Sequence, residues 1–449
     1  MKLGRTILIA IALASAWPAR AFADDPAYSA AGGYTLTPPY DSSSFTTILA
    51  AFPASSTRLV DGYPLASRML AATGRTVSLQ QTFGASTFMP VAVLSDDDPN
   101  MDPAFLALTP SGETIALGTG LNKPLYIFPT SLLSVSNPPV LTTNPGAHRY
   151  DGLSYYSAAF RDERYLFVDE GGVELGESDV YMLDTQSANP TPIPVIASIP
   201  GASSGIAFDA AGDLVTGIGW DPNDSRTGEI KIFDAASIDG VVAGGAALDY
   251  GGEGAVVANN ALSADSLGFD AQGDLDVGGG DSFGSSGHDG YAEVIDASVV
   301  TRVKDGGVPA EADNPADVTM LAPDPCKNDD WTGITYVPGV DMVVVTASLQ
   351  TLPPNCASID YTMGPGQVTL YFPPDAPDHD GDGIPDGADP DYEPQQLFGR
   401  DQLSRLVDAL DATSSDSNFD AFVDFNGDGQ VDDDDYAFLR AHWGLPLLN

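Results

Sequence analysis

The residues with the clearest chemistry lie near the C-terminus: Asp424, Asn426, Asp428, Gln430, Asp432 and Asp435. They stand at positions 1, 3, 5, 7, 9 and 12 of a twelve-residue run, the spacing at which one loop can offer a hard cation six oxygen ligands. Gln430 contributes through its backbone carbonyl, and the others contribute through their side chains. Gly429 fills position 6, where the chain must turn sharply, and the apolar Val431 at position 8 can anchor the loop to a small core. The run therefore predicts calcium binding. A second run has the same spacing: Asp378, Asp380, Asp382, the Ile384 carbonyl, Asp386 and Asp389. Pro390 and Pro394 follow it, so no helix is expected to leave it, and His379 takes a spacer position.

Both runs need elements to hold them. Leu403, Leu406, Val407 and Leu410 recur at helical spacing and predict an amphipathic helix before the better loop. A second helix is expected from Asp435 to Trp443, with Tyr436, Leu439 and Trp443 on one face. A calcium loop followed by a helix resembles the dockerin module, although only one such half is present. Asp at position 12, where intracellular calcium sensors carry Glu, belongs to that resemblance, whereas Asp433 and Asp434 stand where dockerins carry the small hydroxyl pair that helps to choose a cohesin partner. The helix-free run at 378–389 resembles the thrombospondin type 3 repeats, which implies calcium there too.

The longer part of the chain reads as short strands separated by turn residues, a mainly β pattern. It contains an internal repeat. Gly205-Ile-Ala-Phe-Asp-Ala-Ala-Gly-Asp-Leu-Val-Thr-Gly217 is echoed by Ser266-Leu-Gly-Phe-Asp-Ala-Gln-Gly-Asp-Leu-Asp-Val-Gly278. Each is followed by a variable insert and a further strand, Glu229–Ala235 and Ala292–Ala297. Fainter copies run through Leu106–Gly118, Tyr156–Val168 and Trp331–Thr346, and a first copy is expected to begin near Val60. In each unit a strand is closed by a tight turn whose Gly can take positive φ and whose Asp can bond the turn backbone. The F-D-x-x-G-D-L turn resembles that of bacterial NHL/YncE-type β-propellers, which implies five to seven blades arranged radially. A β-sandwich with long loops, or two β domains, would carry the same strands. The expected organisation is a leader over 1–23, a β-propeller-like domain over 24–374, an Asp/Gly/Pro calcium-loop linker over 375–394 and a dockerin-like helical module over 395–449.

The N-terminus has the order of an export signal: Lys2 and Arg5, an apolar run from Ile7 to Trp17, and Ala21-Phe22-Ala23 before Asp24. Cleavage after Ala23 would place the protein outside the cytoplasm, in the periplasm or the medium. There Cys326 and Cys356 are expected to form one disulfide. The formal charge is −45, and losing Lys2, Arg5 and Arg20 with the leader takes it to −48. That excludes nucleic acid as a natural partner and argues against anionic membrane surfaces. No later segment is long and apolar enough to span a bilayer.

No catalytic constellation stands out among the four histidines. His148 sits in His-Arg-Tyr-Asp151 and His288 in Gly-His-Asp-Gly290, either of which can be a solvated turn. With 63 acidic residues, carboxylate pairs are too numerous to single one out. Asp96–Asp98 and Asp221–Asp224 are further acidic loops that could add calcium contacts. The reading that follows is a secreted calcium-binding protein whose propeller binds a protein or glycan at the cell surface. The other reading is a secreted, polysaccharide-acting hydrolase tethered through the dockerin-like module.

Overall fold

The computed structural model describes residues 29–36 and 48–372, apart from 74, 81–87, 95–102, 121–122, 155, 170–175, 188, 204, 220–227, 260–262, 281–290, 312–313, 315, 324–328, 340–341 and 350–366. It also describes 406–407, 409–410, 412–413, 423 and 429–442. Strand β1 (Ser29–Leu36) comes first. Blade 1 then runs through β2 (Ile48–Ala51), a small inserted hairpin of β3 (Leu59–Val60) and β4 (Tyr63–Pro64), and β5 (Met69–Thr73), β6 (Thr76–Gln80) and β7 (Phe88–Val93). Blade 2 is β8 (Phe105–Leu108), β9 (Thr114–Gly118), β10 (Lys123–Pro129) and β11 (His148–Ser154). Blade 3 is β12 (Ala158–Phe160), β13 (Tyr165–Asp169), β14 (Glu177–Asp184) and β15 (Ile193–Pro200).

Blade 4 is β16 (Ala207–Phe208), β17 (Leu214–Gly217), β18 (Glu229–Phe233) and, after helix α1 (Ala235–Val242) and β19 (Leu248–Asp249), β20 (Ala255–Asn259). Blade 5 repeats this plan with β21 (Ser263–Phe269), β22 (Leu275–Gly280), β23 (Tyr291–Ile295), helix α2 (Ala297–Lys304) and β24 (Val318–Pro323). Blade 6 is β25 (Asp329–Val337), β26 (Met342–Leu349) and β27 (Gln367–Phe372), completed on its outside by β1. The innermost strands β2, β8, β12, β16, β21 and β25 pack in that order, and β25 returns to β2, so the ring is closed. Five blades are plain four-stranded sheets, and blade 3 carries β19 as a fifth strand. The chain is a β-propeller, with a blade count inside the expected range.

The repeated turn explains the geometry. Asp209 Oδ1 accepts from the amides of Ala211 and Asp213, both at 2.9 Å, and Asp270 Oδ1 accepts from those of Gln272 (2.9 Å) and Asp274 (2.8 Å). Gly212 and Gly273 sit at φ +84° and +87°, a region costly for residues with a Cβ. The second Asp of each turn reaches across the blade: Asp213 Oδ1 accepts from Ala235 N and Asp274 Oδ1 from Ala297 N, both at 2.6 Å. Those amides open α1 and α2. The strands expected to run on through Ala235 and Ala297 therefore end at Phe233 and Ile295. Asp234 caps the helix that follows by accepting from Ser237 N (2.9 Å), and Asp296 does so from Ser298 N (2.7 Å). Blade 1 also departs from expectation. It begins at Ile48, and Val60 belongs to the inserted hairpin.

Between blades the core is apolar. Leu70, Val77 and Leu79 meet Leu117, Tyr126 and Phe128 between blades 1 and 2. Phe167 and Val180 meet Leu214 and Phe233 between blades 3 and 4, and Ile230 and Ile232 meet Leu275 and Val277 between blades 4 and 5. On the face that carries the inner turns, polar contacts join neighbours. Arg58 Nη2 pairs with Glu113 (2.5 Å), Ser111 N and Oγ donate to Glu163 (both 2.8 Å), and Arg161 pairs with Asp239 (2.7 Å). Lys304 bridges Asp209 (2.9 Å) and Asp213.

Three outer edges are covered by chain from the following blade. Val93 N donates to Pro139 O (2.9 Å) and Leu141 N to Val93 O (2.8 Å), strand β19 pairs parallel with β15, and Ala310 N donates to Val257 O (2.7 Å). An edge paired in this way offers fewer free backbone groups to another strand.

Candidate metal centre

The C-terminal module has a small core of its own: Leu406, Ala409, Val423, Val431 and Leu439, with Phe438 against them. Its helix α3 spans Asp433–His442, starting two residues before the expected Asp435. The buried stripes differ from those the spacing suggested. Val407 and Leu410 are 59% and 43% exposed, and Ala409 and Ala412 take the inner positions. Tyr436 is 44% exposed while Leu439 is fully buried, so those two do not share a buried face. Two small alanines let the preceding helical turn lie close to the loop, which a count of large apolar residues does not register.

The second half of the loop can be followed residue by residue. Gly429, at position 6, has φ +81°. Gln430, at position 7, forms an antiparallel bridge with Thr413, and Val431 N donates to Ala412 O at 2.9 Å. Val431, at position 8, has no exposed surface. Asp432 precedes the helix, and its amide donates to Asp435 Oδ2 at 2.9 Å while its carbonyl accepts from Tyr436 N at 3.1 Å. Asp435 thus closes the helix start in the manner of a capping box and is itself fully buried. Among the described residues these features fit a cation loop: a left-handed glycine at the turn, an apolar anchor, and a carboxylate turned inward at position 12. Asp424, Asn426 and Asp428 lie outside the described residues, as do all six positions from Asp378 to Asp389. Among the described residues alone, no group of three or more His, Cys, Asp or Glu gathers around one point.

The remaining candidates are spread apart. His148 is exposed on β11, where its ring lies 6.4 Å from that of Tyr150 and the next residue, Arg149, pairs with Asp151 at 2.7 Å. It stands on the outermost strand of its blade, remote in the sheet order from the innermost strand. His288, His379, Asp96–Asp98, Asp221–Asp224, Cys326 and Cys356 lie outside the described residues. Among the described residues no helix is long and apolar enough to cross a membrane.

No family model matches this chain, and no curated protein does. Solved structures resemble it at a distance. A chain of the mitotic checkpoint complex is 13% identical over 76% of this chain and 82% of its own, with a TM-score of 0.42. The luciferin-regenerating enzyme is 10% identical over 75% and 94%, with a TM-score of 0.45. Hydrazine synthase of Kuenenia stuttgartiensis is 11% identical over 67% and 80%, with a TM-score of 0.39. Likenesses this remote carry no function across, so the propeller assignment stands on the closed ring of sheets.

Proposed function

We propose that this is an exported calcium-binding protein, in which the propeller is a scaffold for binding a protein or glycan at the cell surface and the C-terminal module is stabilised by calcium. Asp424, Asn426, Asp428, the Gln430 carbonyl, Asp432 and Asp435 would hold one ion, and Asp378, Asp380, Asp382, the Ile384 carbonyl, Asp386 and Asp389 a second. The observation that carries the reading is Asp435: a carboxylate with no exposed surface, at position 12 of a loop whose glycine is left-handed and whose position 8 is anchored in the core. A buried carboxylate needs compensating positive charge or donors. The Asp432 amide supplies one donor to Oδ2, and a divalent ion would supply charge. When bound, calcium would neutralise the facing carboxylates and couple its binding energy to the folding of the module. The leader, with its cleavage site after Ala23, supports an extracytoplasmic site of action, where calcium is abundant enough for a weak loop.

The test is calorimetry on the full mature chain titrated with calcium after chelator treatment. The expected dissociation constants are on the order of 10⁻⁴–10⁻³ M. Asp424→Ala with Asp428→Ala should abolish one binding event and leave the other. Absence of heat from the unsubstituted chain, with unchanged helix signal, would refute the proposal.

A further inference from the structure

We infer that the ring is built to open at one seam, between blades 6 and 1, and that residues 52–68 are the clasp that holds it. This segment takes the place of the short turn between the two inner strands of blade 1, and Phe52 N bonding to Arg68 O (2.9 Å) closes its neck. It touches both neighbouring blades. Toward blade 2, Asp61 Oδ2 accepts from Ser134 Oγ (2.9 Å) and Ser136 N (2.8 Å), and Pro53 lies so near Gly112 that a Cβ there would meet Pro53 Cδ at 2.9 Å. Toward blade 6, a Cβ on Gly339 would meet Ala54 Cβ at 2.6 Å and Ser67 Oγ at 2.7 Å.

The clasp is under strain where it meets blade 6. Ser67 is fully buried with φ +56°, a conformation that disfavours a side chain. The seam beneath it is mixed: Met69 and Ala71, both fully buried, share the blade 6 face of blade 1 with polar side chains. Residues Leu70, Val77 and Leu79 of blade 1 point to blade 2, so the alternation of β5 and β6 turns Ser78 and Gln80 the other way, to blade 6. Ser67 Oγ, Ser78 Oγ and Gln80 Nε2 are buried with no hydrogen-bond partner among the described residues. Such groups either admit water or go unsatisfied, and both weaken an interface.

The test is thiol labelling of the full chain, read by mass spectrometry at the named position. Ser78→Cys faces the seam. Thr216→Cys, equally buried with an unpartnered hydroxyl but facing blade 3, is the control. The Ser78→Cys thiol is expected to react at least about tenfold faster, as sub-global opening at one seam requires. Equal rates would overturn the inference. Adding Gly339→Ala, which drives the clasp off, should raise the Ser78→Cys rate about tenfold and leave Thr216→Cys unchanged, while a rise at both sites counts against a local clasp. Should Gly339→Ala fail to fold, Ser67→Gly decides. It removes both the strain and the orphan hydroxyl, so it should slow labelling at Ser78→Cys alone, and an unchanged rate would sink the idea.

Discussion

Asp317 shows how much a single side chain holds in this fold. Arg302 grips it with two nitrogens, Nη2 at 2.9 Å and Nη1 at 3.1 Å, and the Glu311 amide adds a third bond at 3.0 Å. The Arg302 hydrogen bond, followed by that of Glu311, holds its carboxyl below the ordinary aspartate range. A carboxylate lowered in this way stabilises the fold above the unfolded-state pKa, and that stability is lost as pH falls through the folded value. Asp317→Asn should therefore melt below the unsubstituted chain at pH 7, with the gap closing below about pH 4. Thermal melts from pH 7 to 3 check this, and a constant gap would count against it. The turn aspartates Asp209 and Asp270 were legible in the sequence because each bonds within its own turn. The Arg302–Asp317 pair was not, because its members meet only after the chain between α2 and β24 has folded back. Asp435 was singled out by its spacing, but its full burial has no local signal in the sequence.

At the level of elements, the repeat was readable where the chemistry is local. F-D-x-x-G-D-L fixes a strand, a left-handed glycine and a second strand in seven residues. Helices α1 and α2 were not read, since each has eight residues and follows a strand without a break. The signal that could have found them is Asp-Ala-Ala-Ser237 and Asp-Ala-Ser298, an N-cap with its serine, present in both copies. These helices carry inter-blade contacts. Burial disfavours the charge on Lys304, but Asp213 and Asp209 outweigh that and raise its pKa above the ordinary lysine value. Lys304→Met keeps the stem and leaves two carboxylates of one turn without their shared counter-ion. It should cost about 1–2 kcal/mol in a urea melt, and adding Asp209→Asn should return part of that. If the second change restores nothing, repulsion between the carboxylates is not the cause.

For the whole molecule, charge and closure matter most. The formal charge is −45, with 18 Lys and Arg. Arg58, Arg149, Arg161, Arg164, Arg302 and Lys304 are all engaged in ion pairs within the chain. The 18 cations offset only a small part of the 63 acidic residues, so self-repulsion opposes compactness and salt relieves it. The melting temperature should rise as sodium chloride goes from about 0.05 to 1 M, where the Debye length shrinks from above 10 Å to about 3 Å. A fall would show that the ion pairs outweigh the repulsion. Blade number was not legible in the sequence, because inserts of different length blur the period and because the last blade borrows its outer strand from the start of the chain. Ser29 faces Phe372 across that sheet, a pairing that no local pattern announces.

The straps on the outer edges of blades 1, 3 and 4 have a consequence for synthesis. The stretch that seals each of these outer edges belongs to the blade made next, so a ribosome that has just finished one of them has produced a sheet with a raw margin. The margin is sealed only when about one further blade of chain has emerged. For these three blades, chain order and edge protection are thus one timetable.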